Sequence, residues 1–127
     1  MNNSIEVSIP GKIVISGEYA VLDGASAIVS TLNQRANITI KNSNKNHNIY
    51  ATSALENIFP FIIDDDFNII WLDEDPGTYG LLLKHAFNIL KPKLKEKLSI
   101  IVDSSEFFHN TKDGVIHKLG IGSSAAV

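Results

Sequence analysis

The stretch Lys118-Leu-Gly-Ile-Gly-Ser-Ser-Ala-Ala-Val127 restricts the backbone of this chain more than any other. Two glycines one residue apart permit a tight turn and let a ligand approach the main chain with no Cβ in the way. Ser123 and Ser124 add hydroxyls and main-chain N–H groups, and Ala125, Ala126 and Val127 read as the first apolar turn of a helix. A Gly-rich turn that opens a helix gathers unpaired N–H groups and the positive end of the helix dipole at one point. Such a point is suited to holding phosphate.

Upstream, the pattern is mostly that of strands. Ile5, Val7 and Ile9 alternate with Glu6 and Ser8, the period of a half-buried strand that Pro10-Gly11 is expected to end. Lys12 to Ser16 reads as a second short strand, Asp23-Gly24 as a turn, Ala27 to Val29 as a buried strand, and Ala36 to Lys41 as another. The polar segment Asn42 to Asn48 is expected to be exposed. Ser53 to Ile58 reads as a short helix stopped at Phe59-Pro60, Asp64 to Asp66 as an acidic turn, and Phe67 to Leu72 as a strand with core aromatics. Thr78 is the expected N-cap of an amphipathic helix from Tyr79 to about Leu90, ended by Lys91-Pro92. Leu98 to Asp103 follows as a strand, then a polar loop to Gly114 and a short extended lead-in at Val115-Ile116. The order points to an α+β fold with a largely antiparallel sheet and helices packed on one side.

Composition removes several classes of function. A formal charge of −3 offers no basic footprint, so nucleic acid is not an expected partner. An anionic ligand would need local positive potential, from a lysine or a helix terminus. With no cysteine there are no disulfides or thiolate metal sites, and a cytoplasmic location is expected. No apolar run approaches about 18 residues, so no helical membrane span is expected. At 127 residues the chain suits one domain, 1–127, and its oligomeric state is left open.

Three nucleotide-binding patterns compete for the Gly-rich turn. The Walker pattern fails, because the only Gly-Lys pair, Gly11-Lys12, has Glu6 at the upstream glycine position and Ile13 at the hydroxyl position. The dinucleotide pattern is matched by Gly120, Gly122 and Ala125, but the chain holds no acidic residue about 20 positions later. The third is a family resemblance. Leu119-Gly-Ile-Gly-Ser-Ser-Ala-Ala126 resembles the phosphate-binding motif of the GHMP small-molecule kinases (galactokinase, homoserine, mevalonate and phosphomevalonate kinases), with Ile116 in place of the usual proline and Ile121 in place of leucine. Pro10-Gly-Lys-Ile-Val-Ile-Ser-Gly-Glu-Tyr-Ala-Val-Leu-Asp-Gly24 resembles that family's first motif. Both stand in the family's order, and Lys118 and Tyr19 look more like the phosphomevalonate members.

The resemblance implies the amino-terminal, ATP-binding part of such a kinase, incomplete at its carboxyl end. It implies ATP and Mg2+ as cofactors and a small anionic acceptor, here a mevalonate-pathway acid. The turn made by Gly120, Ile121, Gly122, Ser123, Ser124 and Ala125 would wrap the ATP phosphates, with Ser124 as the magnesium ligand. Lys12 would stand near the transferring phosphoryl group, and Glu18, Tyr19 and Lys118 would line the acceptor pocket. Mevalonate kinase or a homoserine or sugar kinase is the alternative within the family. A non-catalytic ligand-binding relative and a dinucleotide-binding module are the alternatives outside it. Without the family, Glu18 reads as a solvated turn residue, Lys118 as an exposed lysine, and the two serines as helix caps. His109 and His117 have no metal spacing between them. The family's downstream catalytic Asp and magnesium-binding Glu are not in the sequence, so these residues by themselves are expected to show no turnover.

Overall fold

In the computed structural model, which describes residues 4–122, the first strand runs unbroken from Ser4 to Ser16 (β1) and passes through Pro10-Gly11 without ending. Two short strands expected from the sequence are therefore one. β1 is the end strand of its sheet, and the Lys12 N–H, two residues on from Pro10, bonds to Ile121 rather than to the next strand. The donor that proline lacks falls on this same outer edge, where no ladder bond is lost. The next strand, Ile28–Asn42 (β2), likewise joins two expected strands, but Ile28 and Val29, expected to be buried, are exposed. Its linking residues alternate, with Leu32 and Gln34 half-buried and Thr31, Asn33 and Arg35 exposed.

Six further strands follow: β3 Asn48–Thr52, β4 Ile58–Ile63, β5 Ile69–Trp71, β6 Leu98–Asp103, β7 Phe108–Asn110 and β8 Ile116–Lys118. The one α-helix among the described residues, α1, is Leu81–Leu90. The sheet order is β1-β2-β6-β3-β4-β5, with β7-β8 as a separate antiparallel pair. β3 runs antiparallel to β4, and β4 to β5, while β3 and β6 are parallel. The α+β class and its largely antiparallel character are as expected.

The described residues form two compact units, 4–7 with 38–103 and 8–37 with 104–122. In the first, Tyr50, Phe59, Phe61, Ile69, Ile100 and Val102 of the sheet pack with Phe87 of α1. Phe61 is fully buried and meets Phe87 edge-on at 6.0 Å between ring centres. Burying one such ring stabilises by about 1.5–3 kcal/mol. The Tyr50 hydroxyl donates to the Tyr79 carbonyl at 2.8 Å. Burial pushes its pKa up, against a lowering contact from Thr52, so it stays protonated as a donor.

Several local expectations are corrected here. The expected helix Ser53 to Ile58 is instead a turn that leads into β4 at Ile58, and Phe59-Pro60 lies inside that strand. The Pro60 carbonyl accepts from Leu72 just past the end of β5, so its missing N–H costs no bond within the β4–β5 ladder. Phe67 belongs to a turn, at φ +64°, and not to β5. That turn is organised by Asp64, whose carboxylate accepts from the main chain of Asp66 and Asn68 and the side chain of Asn68. Asn48 is buried, not exposed. Its side-chain oxygen accepts from Leu98 N–H at 2.9 Å, which ties the start of β3 to β6. Thr78 makes no cap; a short 3-10 helix, Gly77–Gly80, precedes α1, and its Gly77 N–H bonds to Asp75 at 2.7 Å.

Candidate phosphate-binding site

The second unit holds the described part of both motifs. The hairpin β7–β8, with Phe108 opposite Lys118 and Asn110 opposite Ile116, occupies part of the expected polar loop. It delivers the chain to the Gly-rich turn, where the Leu119 N–H donates to the Phe107 carbonyl at 2.9 Å. Gly120 and Gly122 then take φ of +67° and +79°, in the left-handed region that costs an L-residue about 1–2 kcal/mol. Between them, the Ile121 side chain turns inward and is buried with Ala36 and Phe107, flanked by half-buried Ile9, Leu32 and Phe108. Ile121 thus meets any ligand with its main chain alone.

The first motif lies directly on this turn. The Lys12 N–H donates to the Ile121 carbonyl at 2.9 Å. Its alkyl stem runs along Gly122, so that a Cβ there would stand 3.1 Å from Lys12 Cγ and 3.6 Å from Cε. A Cβ on Gly120 would meet no atom within 4 Å, so the turn has open space on that side. Gly11 is buried, with room for no side chain. β1 is also braced by Arg35, whose Nε donates to Ser8 Oγ at 2.7 Å and whose Nη2 donates to the Ser8 carbonyl at 2.8 Å. The Arg35 N–H in turn donates to Glu106 Oε2 at 2.7 Å.

The other expected site residues fall as follows. Glu18 and Tyr19 are exposed in the loop after β1, which Gly17 opens at φ +85° and a 3-10 helix, Ala20–Asp23, continues. Lys118 is exposed at the end of β8. Ser123, Ser124 and Ala125, and with them the expected magnesium ligand, lie outside the described residues. Among those described, no three His, Cys, Asp or Glu side chains gather as a metal site. His109 and His117, unrelated in spacing, are cross-strand partners in the hairpin. No described helix is long and apolar enough to cross a membrane. The residue that the sequence reading passed over is Phe107, fully buried beneath the turn. The adjacent pair Phe107-Phe108, inside a segment otherwise polar, was the signal for it.

No family model matches the chain. Mevalonate kinase of Schizosaccharomyces pombe is 25% identical over 119 residues, which is 92% of this chain and 26% of that protein. Among solved structures, the Lin0012 protein of Listeria innocua superposes with a TM-score of 0.70 at 29% identity, over 98% of this chain and 33% of its own. Mevalonate kinase of Methanococcus jannaschii gives 0.68 at 22%, over 98% of this chain and 37% of its own. Streptococcus pneumoniae phosphomevalonate kinase, solved with phosphomevalonate and AMPPNP, gives 0.59 at 18%, over 96% and 33%. The last two are likenesses of fold. The two motifs on one unit, the shared fold and the similarity to a mevalonate kinase support a fragment of GHMP-kinase type, and the chain spans between 26% and 37% of the proteins it resembles.

Proposed function

We propose that the protein carrying this chain is an ATP-dependent phosphotransferase that phosphorylates a mevalonate-pathway acid, with phosphomevalonate as the first candidate acceptor. Residues 1–127 would be its amino-terminal, ATP-binding portion. The observation that carries this reading is the seating of Lys12 on the Gly-rich turn, through the Ile121 carbonyl and along Gly122. Phosphoryl transfer asks a protein mainly for positioning and charge neutralisation. The turn suits this task, with two glycines in the left-handed region, open space at Gly120 and a cationic side chain laid across Gly122.

In this reading the main-chain N–H groups from Gly120 onward hold the triphosphate. Lys12 places its ammonium against the phosphoryl group as charge shifts toward the leaving oxygen, and Glu18, Tyr19 and Lys118 contact the acceptor. Magnesium, held through Ser124 and phosphate oxygens, supplies further charge neutralisation when bound. Mevalonate itself is the second acceptor, favoured by the fission yeast relative's identity as a mevalonate kinase.

The test is release of ADP by the full-length protein with MgATP and each of mevalonate, phosphomevalonate, homoserine and galactose. Turnover is expected with one of the two mevalonate-pathway acids. Replacing the pre-organised charge in Lys12→Met is expected to lower kcat by about 10²–10³ with the fold retained. Turnover with homoserine or galactose alone would refute the acceptor class. Preferential binding of NAD over ATP would refute the kinase reading.

A further inference from the structure

We propose that Phe107 is a positioning residue that sets the distance between the Lys12 strand and the Gly-rich turn. The inference rests on the kinase reading for its catalytic consequence, but its geometry stands apart from that reading. Phe107 closes a short 3-10 helix, Ser105–Phe107, just before β7, and its side chain is fully buried. It touches the two motifs with two different parts of itself. Its ring abuts the first, since a Cβ on Gly11 would lie 2.7 Å from Phe107 Cε1. Its carbonyl holds the second, accepting the Leu119 N–H at 2.9 Å as the chain enters the turn. Ile121, whose carbonyl receives the Lys12 N–H, packs in the same buried cluster.

This arrangement gives a physical reason for glycine immediately before Lys12. At Gly11 the ring and the Ile121 carbonyl, 2.9 Å from the same Cβ position, leave no room for a methyl group. The strand can therefore approach the turn only to the depth that the ring allows. Phe107 is also held against sliding. Its neighbour Glu106 takes the Arg35 N–H, and the Arg35 guanidinium grips Ser8 of the same strand. A buried ring on a braced turn is a fixed spacer, and an ångström of misplacement in a phosphoryl-transfer site can cost about 10²-fold in rate.

The experiment uses the full-length protein and the variants Phe107→Leu, which shortens the spacer, and Phe107→Met, which keeps most of its bulk. Amide exchange is followed by NMR at Lys12 and Leu119, with Tyr50 and Val102 of the other unit as controls. In Phe107→Leu, exchange at Lys12 and Leu119 is expected to quicken by about tenfold or more while the controls hold. With the identified acceptor, kcat is expected to fall by about tenfold and the acceptor KM to change by less than about threefold. Phe107→Met is expected to restore most of both. Unchanged exchange at Lys12 and Leu119 would overturn the proposal, as would equal acceleration at all four amides, the mark of general destabilisation. Quickened exchange with an unchanged kcat would overturn the positioning role. A wild-type protein without phosphotransfer, but with the expected exchange pattern in Phe107→Leu, would sink the kinase reading and leave the spacer standing.

Discussion

Gly122 carries two separate demands, and a single substitution should reveal both. Its φ of +79° disfavours any Cβ, and a Cβ there would press to 3.1 Å from the Lys12 stem. The stem is flexible, so the lysine would give way rather than the turn. In Gly122→Ala the backbone strain of about 1–2 kcal/mol falls on stability, whereas the displaced ammonium falls on nucleotide binding. The expected outcome is a Kd for a non-hydrolysable ATP analogue weakened by about tenfold, or ~1.4 kcal/mol, by calorimetry. An unchanged Kd with lowered stability would mean that Lys12 does not face the phosphates. Gly11 answers to a different constraint, since it sits in an ordinary extended strand and is small because Phe107 and the Ile121 carbonyl crowd it.

The elements show where sequence patterning sufficed and where it did not. Alternation at Ile5, Val7 and Ile9 and the apolar run at Leu98 to Val102 both mark strands, but only the second is buried, at Ile100 and Val102, while Ile5 and Val7 stay exposed. Pro10-Gly11 and Phe59-Pro60 look like stops in a linear reading. Both lie within strands, because the missing N–H falls at an outer edge in one and past a ladder's end in the other. Nothing local to either proline reveals which neighbour it will have. The helix start is a similar case. Thr78 has the chemistry of a cap but makes none, and the Asp75 carboxylate, ahead of the 3-10 helix, accepts from the Gly77 N–H and from Lys84 at 3.0 Å. The Lys84 ammonium, then the Gly77 N–H, hold the Asp75 carboxyl below its ordinary range. A lowered folded-state pKa stabilises above the unfolded value, and that contribution is lost as pH falls through the folded pKa. The Gly77 amide resonance is therefore expected to titrate with a midpoint below the ordinary aspartate value of 3.8, and Lys84→Met to move that midpoint upward. In the candidate site, the tight turn at Gly120 and Gly122 was legible because a positive φ is a property of glycine itself. For Phe107 only the apolar pair was legible, and not its contacts with Gly11 and Leu119, which are distant from it in sequence or set by the hairpin.

At the scale of the molecule, the chain is two compact units with separate apolar clusters, and both described motif segments belong to the second. The smaller cluster, around Ala36, Phe107 and Ile121, is what holds the Gly-rich turn against the strand of Lys12. Large apolar side chains remain open to solvent, among them Tyr19 at 80% and Leu22 at 82% exposure in the loop after β1. The first of these is also an expected acceptor contact, and substrate would give that exposure a use. The relatives are about three times the length of the part matched here, since the chain covers 33% and 37% of two of the solved structures. Function at this scale accordingly turns on one claim, that the triphosphate of ATP sits on the turn at Gly120 to Gly122 with Lys12 beside it. The most direct measurement is a titration of the full-length protein with magnesium and a non-hydrolysable ATP analogue, observed at the Lys12, Gly120 and Gly122 amides by NMR. Saturable shifts at all three, not reproduced by NAD, are the expected result. Saturable binding that leaves these three amides unmoved would contradict the claim.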